Sequence, residues 1–327
     1  NGLPVTRIAT WFSEWYAEYI GTIKIPSSVT SIGDYAFYGF SNLHTVYYSG
    51  TKEQWNAINF GINNEQLFSA KIFLNDVSYS FAVVHKENKQ EYSYYYDDSF
   101  FNKSATEYNH NLATMSLCLA LSTFQSNKQN ITYENASNLL SKCDFTNITS
   151  YLYDRTTFPD GIACIIAKKK IGNETVIAVA VRSGGYGREW ASNVTVGLLG
   201  DHMGFDNASK IVLSYINTYV QNNNISGNVK FWLSGYSRGA ATATQTAAKL
   251  NFTTIDGISF SKKDVYAYGF ATPAGARDYL VLGDNNPTDI DKYGNIFNII
   301  NFHDLVPKVA PENWGFCRYG KTYYLSL

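Results

Sequence analysis

The sequence predicts an α/β domain around a mostly parallel sheet over residues 77–327, preceded by a short solenoid of repeats over residues 1–76. Three observations carry this prediction. Strand-like segments recur every 23 to 26 residues before position 76. After it, apolar strands alternate with amphipathic helices. A G-x-S-x-G turn then lies between one of those strands and the helix that follows.

Composition sets the outer limits. With 327 residues, 45% of them hydrophobic and 16% charged, the chain has enough apolar material for a large core and is too apolar for disorder. Its 26 basic and 27 acidic residues leave a net charge of −1, which gives no field to recruit nucleic acid or an anionic membrane. The strongest apolar run, Val176 to Val181, stops at Arg182, so no transmembrane segment is predicted. The opening NGLPVTRIAT has neither the basic start nor the apolar middle of a signal peptide. Cys118, Cys143, Cys164 and Cys317 form no CxxC pair, and the apolar surroundings of Cys118 and Cys164 read as core.

In the first part, VTRI at Val5–Ile8 recurs as VTSI at Val29–Ile32, an offset of 24. TIKI (Thr22–Ile25), TVYY (Thr45–Tyr48) and KIFL (Lys71–Leu74) follow as alternating strands, with Ile23/Ile25, Val46/Tyr48 and Ile72/Leu74 as inward candidates. A period near 23 with one strand per unit predicts a solenoid whose strands pair with their successors. The stretch IPSSVTSIGDYAFYGFSNLHTVYYSGTKEQWNAI resembles the leucine-rich repeats of bacterial cell-surface and adhesin-like proteins, and YYSGTKEQW looks like a closing unit. That resemblance implies an extracellular or cell-surface setting, an array extending upstream of Asn1, and a protein or glycan ligand for the segment.

In the second part, YSFAVV reads as a strand, and Asn109–Phe124 as a helix with Leu112, Met115, Leu119 and Leu121 on its apolar positions. A further helix is predicted to begin at Thr132, a good N-cap. GIACIIAKKK and ETVIAVAVR have the unbroken Val/Ile/Ala character of a buried sheet, with Lys168–Lys170 at the tip of a hairpin. The interleaved tyrosines of residues 92–96 read as aromatic strand packing. Phe205–Val220 is a helix with one apolar face. VKFWLS, DVYAYGFA and NIFNIINF are strands, and an Ala-rich helix, Arg238–Leu250, lies between the first two.

The chemistry centres on Gly235-Tyr236-Ser237-Arg238-Gly239. A serine lifted above a sheet needs a strained strand-to-helix turn, and side chains at 235 and 239 would collide with neighbouring backbone. Ser237 is therefore the candidate nucleophile, its developing charge favoured by the helix N-terminus. Asp304 lies just past the end of the strand NIFNIINF, where open α/β sheets place their sites, and is the candidate acid; starting a turn before Pro307 is its alternative role. An oxyanion hole needs two backbone N–H groups. Arg238 supplies one, and the strand-end loop at Ser183-Gly184 is the candidate for the other. No phosphate-binding pattern occurs in that loop, and no cofactor is expected. Asp289–Gly294 departs from a calcium-loop pattern at Tyr293 and Ile300 and reads as a solvated loop, so no metal is expected.

Five segments resemble class 3 (fungal-type) lipases and keep that family's order over residues 105–327: VAVRSGGYGREW, DHMGF, WLSGYSRGAA, YGFATPAGA and NFHDLVPKVAP. The resemblance implies an α/β-hydrolase fold, an ester or lipid substrate, Ser237 as nucleophile, Asp304 as acid and Ser183–Gly184 as oxyanion loop. Tyr236 stands where the family usually has His, and Arg238 where it usually has Leu. A Ser/Asp pair also needs a histidine between them. In the family it follows the Asp, and no histidine follows Asp304 here. His202 occupies the H-x-G-F position, where a packing or hinge role is expected, and His303 adjoins Asp304 on a strand end. The expected reading is a serine ester hydrolase whose catalytic histidine lies beyond Leu327. The alternative is a non-catalytic surface adhesion module on a hydrolase scaffold.

Overall fold

A computed structural model describes residues 4–10, 16–74, 78–85, 88–123, 133–152, 162–183, 201–277, 286–309 and 312–325. The chain divides into two compact units, Asn1–Ser78 and Tyr79–Leu327.

The first unit is a parallel coil. Thr22–Ile25 pairs with Thr45–Tyr48 and that with Lys71–Leu74, so Ile23, Val46 and Ile72 stack in register. Ile25, Val46 and Tyr48 are buried from their inward positions, as the alternation requires. A second ladder joins Arg7–Ile8, Ser31–Ile32 and Asn59–Phe60, again in parallel. Its register sets Arg7 opposite Ser31 and Ile8 opposite Ile32, which is the 24-residue repeat seen in the sequence. Each turn of the coil thus carries two strands where one was expected. The second strand spans only two residues, too few for an alternation to show. Beside the second ladder, buried Asn64 accepts from the Phe37 N–H (2.9 Å) and donates to the carbonyls of Gly33 (3.0 Å) and Gly61 (2.9 Å). This amide stands in for backbone partners that a tight coil cannot supply itself.

The second unit is built on one sheet. Its strands are β1 (Thr146–Tyr151), β2 (Cys164–Ile171), β3 (Glu174–Val181), β4 (Gly227–Tyr236), β5 (Val265–Phe270), β6 (Ile296–Asn301) and β7 (Lys321–Leu325). They lie side by side in the order β7-β6-β5-β4-β3-β2-β1, and Ile258–Ser259 adds a short strand beside the start of β4. From β3 to β7 every pairing is parallel, whereas β2 runs antiparallel to both neighbours. The principal helices are α1 (His110–Ser122), α2 (Glu134–Lys142), α3 (Met203–Asn222) and α4 (Arg238–Leu250). The predicted cap Thr132 lies outside the described residues, and α2 begins two positions later.

Strand β4 shows how both faces are closed. Phe231 and Leu233 join a core with Val212, Ile216, Ala243 and Ala247 from α3 and α4. The alternate residues turn to the other face: Trp232 donates through Nε1 to Ser116 Oγ of α1 (2.7 Å), and Ser234 Oγ donates to the Ser116 carbonyl (2.9 Å). Tyr96, Phe101 and Phe145 surround the Trp232 ring, so Tyr96 takes the packing role expected of it.

Lys168–Lys170 are not a hairpin tip. They lie within β2, and the turn is Gly172–Asn173, with Gly172 at φ +55°. Lys169 is largely buried and pairs with Asp98 (2.7 Å) and Asp144 (3.6 Å), with its ammonium over the Tyr96 ring. A long stem lets a lysine occupy an apolar strand and still reach its partners. Residues 290–293 form a single helical turn rather than a loop, capped by Asp289 Oδ1 on the Asp291 N–H (2.8 Å). Cys118, Cys143 and Cys164 are buried, and Cys317 is half-buried.

Candidate active site

Ser237 is the single residue between β4 and α4, held at φ +52° and ψ −126°. A non-glycine residue at positive φ costs on the order of 1–3 kcal/mol unless its surroundings enforce it. Here they do. A Cβ on Gly235 would lie 2.2 Å from the Gly239 carbonyl oxygen, and one on Gly239 would lie 2.6 Å from the Val181 carbonyl oxygen. The turn is therefore compressed against itself and against the end of β3, and only glycine fits at either position. The Ser237 N–H donates to the Phe270 carbonyl at the end of β5 (2.8 Å), and its own carbonyl accepts from Ala240 (2.9 Å) and Ala241 (3.2 Å). Its side chain makes no capping bond to the helix, which keeps the hydroxyl out of the structural hydrogen bonding of the turn.

Helix α4 can approach the sheet this closely because of what it is made of. Alanines alternate with threonines whose hydroxyls turn back onto the helix, as Thr242 does to the Arg238 carbonyl (3.1 Å) and Thr246 to that of Thr242 (2.8 Å). Gln245 is the buried longer side chain of this helix, and its Nε2 donates to the Gly275 carbonyl (2.7 Å).

Arg238 opens α4, at the position where a helix has no carbonyl of its own to offer the amide. Its side chain is buried. Across the turn, β3 ends at Val181, which pairs with Gly235. Ser183 follows two residues later and is buried. Gly239, one residue past Arg238, thus packs against the Val181 and Arg182 carbonyls at the end of β3. Gly184 lies outside the described residues.

Asp304 follows β6 by three residues and is half-buried. Its N–H donates to the Asn301 carbonyl (3.1 Å), and its Oδ1 accepts from the Val306 N–H (2.9 Å). It therefore does start the turn before Pro307, and this employs one carboxylate oxygen while fixing the group in space. Because β4, β5 and β6 are parallel neighbours, Ser237 and Asp304 leave the same edge of the sheet with only β5 between them. Two strand spacings, about 10 Å, separate the ends of β4 and β6. A cavity of about 310 Å³ opens beside Asp304, lined among others by Asn301, Lys308, Arg318 and Tyr324.

Of the histidines near this edge, His202 is fully buried, donates its backbone N–H to Gly275 (2.9 Å) and stacks on Phe205 at 4.1 Å between ring centroids. It is part of the packing under the loop after β5. His303 is exposed, with its ring edge-on to Phe302. Sequence reasoning missed Arg318. It is buried just before β7, and its Nε donates to the Thr272 carbonyl (2.7 Å) while Nη2 donates to the Pro307 carbonyl. A lone arginine between Cys317 and Tyr319 carries no motif that could have flagged it. Among the described residues no group of His, Cys, Asp and Glu is placed to hold a metal ion, and no helix is long and apolar enough to cross a membrane.

Comparison with known families agrees with this layout. Residues 179–314 match the family model described as Lipase (class 3), a span that includes the end of β3, Ser237 and Asp304. With the sheet order and the strand–Ser–helix turn, that match makes the second unit an α/β-hydrolase fold. Similar solved structures include a fungal lipase–inhibitor complex, 18% identical over 66% of this chain and 79% of that chain, with a TM-score of 0.49. Another is a triacylglycerol lipase whose catalytic centre is a serine protease triad, 17% identical over 66% and 78%, with a TM-score of 0.45. A third is a lipase from Rhizopus microsporus var. chinensis, 15% identical over 65% and 73%, also at 0.45. No curated protein matches the chain.

Proposed function

We propose that the protein is a serine ester hydrolase acting on carboxylic esters of the lipid type. The observation that carries this reading is the enforced conformation of Ser237, at φ +52° between two glycines that admit no side chain, across one strand from Asp304. The Lipase (class 3) match over the same residues supports it.

In this mechanism Ser237 Oγ attacks the ester carbonyl while a histidine takes its proton. The Arg238 amide and one from the Ser183–Gly184 segment receive the oxyanion. The histidine returns the proton to the leaving alkoxide, and water then releases the acyl group by the same steps in reverse roles. Asp304 orients that histidine and stabilises its cationic form. His202 is committed to packing, and the class 3 resemblance implies a base that follows Asp304 in sequence. For the first unit, the periodic coil supports a leucine-rich repeat identity, and exposed Tyr16, Tyr19 and Tyr38 suit a glycan or protein ligand at a cell surface.

Hydrolysis of p-nitrophenyl esters of graded acyl length by the full-length natural protein tests the reading. Turnover is expected in the wild type and is expected to fall by at least about 10²-fold in Asp304→Asn. Equal turnover in wild type and Ser237→Ala would overturn it.

A further inference from the structure

The acid turn has little to hold it. Phe302, Leu305 and Val309 are exposed, Phe302 meeting Tyr324 of β7 edge-on at 6.2 Å between ring centroids, and Pro307 is its buried member. The hydrogen bonds from its own amides, Asp304 to Asn301, Val306 to Asp304 Oδ1, Lys308 to Leu305 and Val309 to Val306, close within the turn and the end of β6. Among the described residues, the hydrogen bond that ties it to another segment comes from Arg318, through Nη2 to the Pro307 carbonyl.

The other end of that guanidinium reaches the loop after β5, where Nε donates to Thr272 (2.7 Å). That loop is itself fastened on both sides. Ala271, at φ +48°, donates its N–H to Ile299 of β6 (3.0 Å), and the preceding residue, Phe270, accepts from the Ser237 N–H (2.8 Å). A continuous path therefore runs from the nucleophile turn through Phe270, Ala271 and Thr272 to Arg318, and through Pro307 to the acid turn. Arg318 also lines the cavity beside Asp304.

We infer that Arg318 is a positioning residue that fixes the acid turn, and with it Asp304, relative to Ser237. A planar guanidinium can hold two carbonyls in a fixed relation, which a lysine ammonium reaching one of them cannot. The kinetic consequence rests on the hydrolase reading; the tether itself does not.

Two measurements on Arg318→Ala and Arg318→Lys, each checked for wild-type circular dichroism, separate these. Hydrogen exchange on this chain should show the Val306 and Lys308 amides exchanging at least about tenfold faster in Arg318→Ala, with Arg318→Lys between it and the wild type. Unchanged exchange in both variants would overturn the tether. In the full-length natural protein, ester hydrolysis by Arg318→Ala should lose about 10- to 100-fold in kcat with KM nearly unaltered, and partial recovery in Arg318→Lys or on adding guanidinium ion. A raised KM at unchanged kcat would instead make Arg318 a substrate-binding group and overturn the positioning role. If the wild type shows no Ser237-dependent turnover, the hydrolase reading fails, and the exchange result alone decides for or against the tether.

Discussion

The backbone N–H of Ser237 donates to the carbonyl of Phe270 across 2.8 Å, which fastens the Ser237 turn to the one strand separating it from the turn of Asp304. The Ser237 residue is thus positioned by main-chain contacts, and the steric limits on the flanking glycines become the first thing to test.

Gly235→Ala and Gly239→Ala each add a methyl where backbone atoms already lie 2.2 Å and 2.6 Å away. Backbone cannot yield as a flexible side chain can. Each variant should lose about 2–3 kcal/mol, a drop in Tm of roughly 4–12 °C by calorimetry. A melting temperature within about 1 °C of the wild type would show that the turn has more room than described.

Ser116 is the polar centre of the other face of the sheet. Its Oγ accepts from Trp232 Nε1 at 2.7 Å and donates to the Leu112 carbonyl at 2.6 Å. Ser116→Ala leaves a buried indole N–H without its acceptor and should cost about 1–3 kcal/mol in urea unfolding. Ser116→Thr, which keeps the hydroxyl, should recover part of that loss.

Asp201 and Asp206 respond to pH with opposite sign. Burial pushes the Asp201 carboxyl above its ordinary value, even though the Arg277 N–H (3.0 Å) and the Tyr319 hydroxyl (2.8 Å) donate to it. Its ionisation therefore subtracts stability as pH rises through the elevated value. At Asp206 burial also pushes upward, but Lys210 (2.6 Å) and Lys249 (2.8 Å) outweigh it and hold the carboxyl below the ordinary value. That contribution is complete above the unfolded pKa and is lost as pH falls through the depressed one. Asp206→Asn should be less stable than the wild type by about 0.5–1 kcal/mol at pH 7, the gap closing below about pH 4. For Asp201→Asn the wild type should instead gain on the variant as the solution is acidified. Chemical denaturation across the pH range distinguishes the two, and parallel curves for both variants would contradict the assignment.

In the first unit, Asn64→Ala removes the acceptor of the Phe37 N–H and the donor to Gly33 and Gly61 together. A loss of about 2–3 kcal/mol is expected, visible as faster proteolysis within residues 1–78 of the full chain. Cleavage at the wild-type rate would show that the coil does not depend on this amide.

What could be read from the sequence follows the range of the forces involved. The Ser237 turn was legible because its constraint is local: two glycines, a strand before and an Ala-rich helix after. The place of Asp304 just past a strand end was legible from the apolar run that precedes it. The two-strand coil was not, since Arg7–Ile8 and its partners are too short to show a period. Lys169 was misplaced because a charged triplet in an apolar run looks like a turn until Asp98 and Asp144 arrive from elsewhere in the chain. Arg318 joins Thr272, 46 positions away, to Pro307, 11 positions away, and no local pattern encodes such a junction.

The most direct test of the central claim is labelling of the full-length natural protein by a fluorophosphonate probe, with the modified peptide located by mass spectrometry. A single adduct on Ser237 is predicted, absent from Ser237→Ala and strongly slowed in Asp304→Asn. An adduct elsewhere, no adduct at all, or labelling that persists in Ser237→Ala would contradict the account.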